Sequence, residues 1–136
     1  MMKIQRTALS LILFVLLSLV MTSCAPSGAP TTLNVEMTDF SFNPKEFTIP
    51  AGKEITLNLT NKGANQHEFV IMKAGTEVSV PFDANDEDNV YWEAEAAPGE
   101  KKSEKFTAPE AGTYQVVCGT PAHIEQGMLG KLTVSK

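Results

Sequence analysis

Ala111-Gly112-Thr113-Tyr114-Gln115-Val116-Val117-Cys118-Gly119-Thr120-Pro121-Ala122-His123-Ile124-Glu125-Gln126-Gly127-Met128 is the stretch from which the rest of the chain can be read. Residues 113–118 alternate as a strand does. Tyr114 and Val116 therefore share a face with Cys118, because side chains two apart point the same way. After Cys118 comes a loop bracketed by Gly119 and Gly127, which permit tight backbone turns, and stiffened by Pro121. Cys118, His123 and Met128 are spaced five and five. A loop of that length can fold back so that its middle and both ends meet at one point.

The same alternation recurs at two other places. In His67-Glu68-Phe69-Val70-Ile71-Met72, the residues sharing a face with His67 are Phe69 and Ile71. In Met128 to Val134, Leu132 and Val134 share a face with Met128. His67, Cys118 and Met128 thus point with apolar residues toward one interior, and His123 joins them from the loop. The chain has only two histidines, and both belong to this set. Val70, Met72, Val117 and Leu129 are apolar on the opposite faces and do not fit the simple inside–outside pattern. Two imidazoles and a thiolate with a weak thioether are the donors of a type 1 copper site. Each residue alone has a bland reading: Met128 as core filling, His67 as a strand histidine, Cys118 as an inert thiol. Order, spacing and parity together favour one metal site. Zinc could occupy such donors, but a thioether is an unusual zinc ligand.

Working outward, short alternating runs occupy most of the chain. They are Leu33–Met37, Phe47–Ile49, Ile55–Thr60 and His67–Met72, then the weaker Val90–Glu95 and Lys105–Thr107, and finally Thr113–Cys118 and Met128–Val134. Turn signals separate them, among them Pro50-Ala51-Gly52 and Asn61-Lys62-Gly63. Many short strands between turns predict an all-β sandwich or barrel, and no long helical period is present. Residues 73–104 are the least legible. Asp83, Asp86, Glu87, Asp88, Glu93 and Glu95 fall there, as a solvated loop or, alternatively, an acidic docking face. Tyr91 and Trp92 are expected to be packing anchors.

Residues 33–136 resemble the cupredoxin family. The resemblance is carried by Cys118-x4-His123-x4-Met128, by His67-Glu68-Phe69-Val70-Ile71, by Ala111 to Cys118, and by Phe42-Asn43-Pro44 through Ala51-Gly52-Lys53. The loop spacing looks most like that of the auracyanin and rusticyanin members, and the expected lipid anchor makes the auracyanin-like ones the nearer resemblance. The resemblance implies a Greek-key β-sandwich and a single copper ion, cycling between Cu(I) and Cu(II), held by His67, Cys118, His123 and Met128. Many members carry Asn or a small hydroxyl residue just after the first histidine, bonding toward the Cys-side loop. Glu68 stands there instead, a departure that bears on how the thiolate is steadied.

The first residues belong to targeting. Lys3 and Arg6 precede an apolar run, Ala8 to Met21, which ends at Thr22-Ser23-Cys24. This describes a cleaved signal peptide over residues 1–23; a permanent membrane helix is the alternative, but the run falls short of the roughly 20 residues that span a bilayer. Met21-Thr22-Ser23-Cys24 resembles a bacterial lipobox, with Met where Leu is commoner. Cys24 is therefore expected to be lipidated, with residues 24–32 as a flexible tether. Removing 1–23 leaves 113 residues with 9 bases against 16 acids, a net charge of −7. That balance argues against nucleic-acid binding, which needs clustered Lys and Arg.

No nucleophile–base pair or phosphate loop is evident, so no enzymatic activity and no small-molecule substrate are expected. The expectation is a monomeric one-electron carrier, exported to the periplasmic or cell-surface side of a bacterial membrane. Its partners would be redox proteins such as cytochromes or membrane electron-transfer complexes. Electrons are expected to leave by His123, through an apolar contact patch of Pro121, Ala122, Ile124 and Leu129. The alternative is a copper-binding lipoprotein that stores or delivers the metal.

Overall fold

Alternating apolar residues are buried together when strands stack as two sheets, and the computed structural model, which describes residues 28–136, has that form. The strands are β1 (Thr32–Thr38), β2 (Ser41–Asn43), β3 (Glu46–Pro50), β4 (Glu54–Asn61) and β5 (His67–Met72), followed by β6 (Val90–Ala96), β7 (Lys101–Thr107), β8 (Gly112–Val117) and β9 (Leu129–Ser135). A single helical turn, α1 (Ala84–Glu87), precedes β6. One sheet has the order β2-β1-β4-β7 and the other β3-β9-β8-β5-β6. Two pairings are parallel, β1 with β4 and β3 with β9. The expected signal peptide, residues 1–23, and the expected lipidation site, Cys24, lie outside the described residues.

The main core lies between the sheets. Val35 and Met37 of β1, Leu57 and Leu59 of β4, Phe69 and Ile71 of β5, Val116 of β8 and Leu132 of β9 meet there. Each such side chain contributes roughly 1.5–3 kcal/mol of transfer free energy. The Phe69 ring takes Phe42 and Phe47 edge-on, at centroid distances of 5.6 and 5.3 Å. Phe42 comes from β2, a strand of three residues that is too short to show alternation.

The residues that broke the inside–outside pattern have a second partner. Val70, Met72, Val117 and Ile124 form a separate buried cluster, with Val78, Phe82, Val90 and Leu129 packed against it. β5 is therefore apolar on both faces because the 73–89 segment folds over its outer side. That segment is not simply solvated. Asp86 is buried, and its carboxylate accepts from the Ser79 N–H (3.0 Å), the Ser79 hydroxyl (2.7 Å) and the Asp83 N–H (3.0 Å). Asp83 caps α1 by accepting from the Asn85 N–H. Trp92 stacks on Phe106 at 4.7 Å, as a packing anchor should. Tyr91 does not share that role: it is exposed, and its hydroxyl donates to the Thr107 carbonyl.

Candidate metal centre

Three elements deliver the donor set. His67 opens β5 and is wholly buried, paired across the sheet with Ala96. Cys118 follows the last residue of β8 and Met128 precedes the first of β9, and both are wholly buried. The Cys118 N–H donates to the Met128 carbonyl at 3.2 Å, which closes the base of the loop. Within it the chain winds in successive turns. The His123 N–H donates to Thr120, Gln126 to His123, and Gly127 to Ile124, while the Met128 N–H returns to the His123 carbonyl at 3.0 Å. Gly127 makes this possible with φ of 88°, a conformation that a Cβ would disfavour. Pro121 and the wound backbone leave His123 facing inward, only 6% exposed.

The donor atoms converge. Nδ1 of His67 lies 3.1 Å from Nδ1 of His123. Sγ of Cys118 lies 3.3 Å from His123 Nδ1 and 3.9 Å from His67 Nδ1. One donor atom from each of His67, Cys118 and His123 falls within 4.8 Å of the others. Met128 sits in the same buried cluster as Cys118. Burial pushes the Cys118 thiol above its ordinary value, and the Glu68 N–H, donating to Sγ at 3.4 Å, opposes that shift. Glu68 thus reaches the sulfur through its backbone. Burial first, and then the neighbouring His67, hold His123 below its ordinary value and so favour the neutral imidazole that a metal requires. Three dry, mutually facing N and S donors beside a buried thioether fit a single copper ion.

Residues around the donor set were not legible in sequence. Asp39, in the turn between β1 and β2, places Oδ1 3.2 Å from His67 Nε2. It also accepts from the N–H groups of Ala64 and Asn65, and the Ala64 bond is the main reason its carboxyl lies below the ordinary value. Next to it, Phe40 sets its ring edge-on to His123 at 5.2 Å. Phe40 has φ of 69°, a left-handed conformation that costs a non-glycine residue roughly 1–2 kcal/mol. A Thr38-Asp39-Phe40 turn signals only a chain reversal, and nothing in it points to a histidine 28 positions on.

The expected contact patch needs a correction. Pro121 and Ala122 are exposed beside His123, but Ile124 is 5% exposed and belongs to the second apolar cluster. Leu129 is half-buried against that cluster. The outer faces of β5 and β8 needed an apolar cover, and Ile124 provides it from within the ligand loop.

These features define the class. Residues 11–134 match the model of the cupredoxin-like domain, and the chain belongs to the cupredoxin family. Auracyanin-A from Chloroflexus aurantiacus is 28% identical to it, over 98% of this chain and all of that one. The copper-resistant cuproprotein CopI of Rubrivivax gelatinosus is 30% identical, over 78% of this chain and 67% of that protein. Among solved structures, the dithionite-reduced auracyanin of Roseiflexus castenholzii superposes with a TM-score of 0.69 and 33% identity, covering 80% of this chain and all of that one.

Proposed function

We propose that the protein carries single electrons on one type 1 copper held by His67, Cys118, His123 and Met128. The observation that carries this reading is the buried convergence of His67, Cys118 and His123 donor atoms within 4.8 Å. Bound copper supplies a one-electron couple, and the mixed set of soft sulfur and imidazole donors suits both of its oxidation states. The chain's own part is to keep the donors dry and pre-placed: the Cys118–Met128 backbone bond and the Glu68 N–H fix the thiol before any metal arrives. The exposed Pro121 and Ala122 beside His123 offer the small apolar contact that suits a weak, transient redox encounter. Negative charge lies close to Cys118, whose sulfur accepts the Glu68 N–H. Glu68, Glu87, Glu93 and Glu95 line one hollow of about 290 Å³ together with Lys102. Burial, and then Glu93, Glu87 and Glu95, raise the Glu68 carboxyl. Such a face suits a basic redox partner such as a cytochrome.

Adding Cu(II) to the purified protein and following visible absorption and EPR through a redox cycle tests the carrier reading. An intense blue colour that bleaches and returns supports it. A copper form that is colourless, or that loses its metal on reduction, supports storage or delivery instead, a reading favoured by the copper-resistant relative in Rubrivivax. The reading also places the protein outside the cytoplasm, anchored by lipid at Cys24. Cys24→Ser should then move it from the membrane to the soluble fraction; unchanged membrane retention would rule out this anchor.

A further inference from the structure

The Asp39 carboxylate is aimed at the metal site from outside it. Its Oδ1 receives the Ala64 N–H at 3.1 Å, the Asn65 N–H at 3.3 Å and the Asn65 side-chain amide at 3.1 Å, and it faces His67 Nε2 at 3.2 Å. An ionised carboxylate can only accept, so the proton between Asp39 and His67 belongs to Nε2. That leaves the Nδ1 lone pair of His67 directed at Cys118 and His123. The contact of 3.1 Å between the two Nδ1 atoms agrees, because it has room for one proton at most.

The surroundings are shaped for this pair. Asn61 is buried, donates to the Asn65 and Ala96 carbonyls and accepts from the Gly63 N–H, which fixes the 61–65 loop around the carboxylate. A Cβ on Gly63 would lie 2.5 Å from Asp39 Oδ1 and 2.7 Å from His67 Nε2, so only glycine fits there. From the other side, the turn that carries Asp39 is held by Phe40, whose left-handed backbone persists with its ring against His123.

We infer that Asp39 is a positioning residue for the copper site: a charged clasp that fixes the tautomer and orientation of His67 and makes its Nδ1 a stronger donor. The inference deepens the electron-carrier reading and rests on it for the copper readouts alone. A carboxylate behind a ligand imidazole favours the more highly charged, oxidised metal, so it holds the reduction potential down.

The test uses the full chain and four proteins. In the metal-free wild type, long-range ¹H–¹⁵N correlation spectra should show His67 protonated at Nε2. Asp39→Ala should lose that preference and release Cu(II) to a chelator about 10-fold faster or more. Asp39→Asn keeps an acceptor oxygen and the shape of the turn; it should stay blue, with its potential shifted upward. Gly63→Ala should reproduce the tautomer loss of Asp39→Ala with the carboxylate still present. A wild type protonated at Nδ1, or an Asp39→Asn potential equal to that of the wild type, overturns the clasp. If the wild type takes no reversible blue form, the carrier reading fails, and the metal-free spectra still decide whether Asp39 positions His67.

Discussion

Cys118 and Met128 supply sulfur from the two ends of one loop, and they should respond differently to substitution. Cys118→Ser removes the soft anionic donor and should abolish the blue colour. Met128→Leu conserves volume at a wholly buried position, costs less than about 1.5 kcal/mol in stability, and should keep the colour while raising the potential. Visible titration and voltammetry of the two variants check both outcomes. Ala122 presents another single-residue effect. Its φ of 68° strains a residue that carries a Cβ, next to a ligand. Ala122→Gly should relieve that strain and stabilise the metal-free protein by about 0.5–1 kcal/mol in urea unfolding. A fall in stability would mean that the methyl group packs usefully.

Among the elements, the 73–89 segment shows how far an acidic stretch can mislead. Its charge reads as solvent-facing, yet Asp86 holds the segment together from inside. Burial alone would raise the Asp86 carboxyl, but the Ser79 and Asp83 hydrogen bonds outweigh it and leave the group below its ordinary value. A carboxylate with a lowered folded pKa contributes stability in full above its unfolded value, near 4, and loses it as the pH falls through the folded one. Asp86→Asn should therefore cost about 1–3 kcal/mol at pH 7, with the deficit shrinking below about pH 4. Urea unfolding across that range is the measurement, and a deficit that does not change with pH would show that charge is not what matters. β4 was legible because it alternates throughout, and β5, β8 and β9 because apolar side chains recur at every second position, although Val70, Met72, Val117 and Leu129 break the strict pattern. β2 was not, with three residues, and α1 is a single turn set by its cap. The Lys101–Glu104 part of β7 was hidden by charge, as edge strands often are. The donor set was legible since order, spacing and parity are sequence properties. Asp39 and the burial of Ile124 arise from tertiary contacts that no local pattern encodes.

At the scale of the whole molecule, negative charge gathers near the copper end. Glu68, Glu93 and Glu95 lie on neighbouring strands, and Glu68 is bonded through its backbone to the ligand sulfur. Electron transfer to a basic partner should slow about tenfold between low and high ionic strength, and Glu93→Gln with Glu95→Gln should flatten that dependence. Stopped-flow rates with a basic cytochrome would show it, and an equally steep slope in the double variant would place the steering elsewhere. The direction of β1 has one more consequence. The strand runs from Thr32 to Thr38 and delivers Asp39 to the back of His67. Its start therefore lies roughly 20 Å from the redox end, at about 3.3 Å per residue. A protein hung from a bilayer by its amino terminus would then present copper outward, toward the aqueous side. Partners embedded in the same leaflet could be reached only by tipping over, so the length of the leash would govern exchange with them.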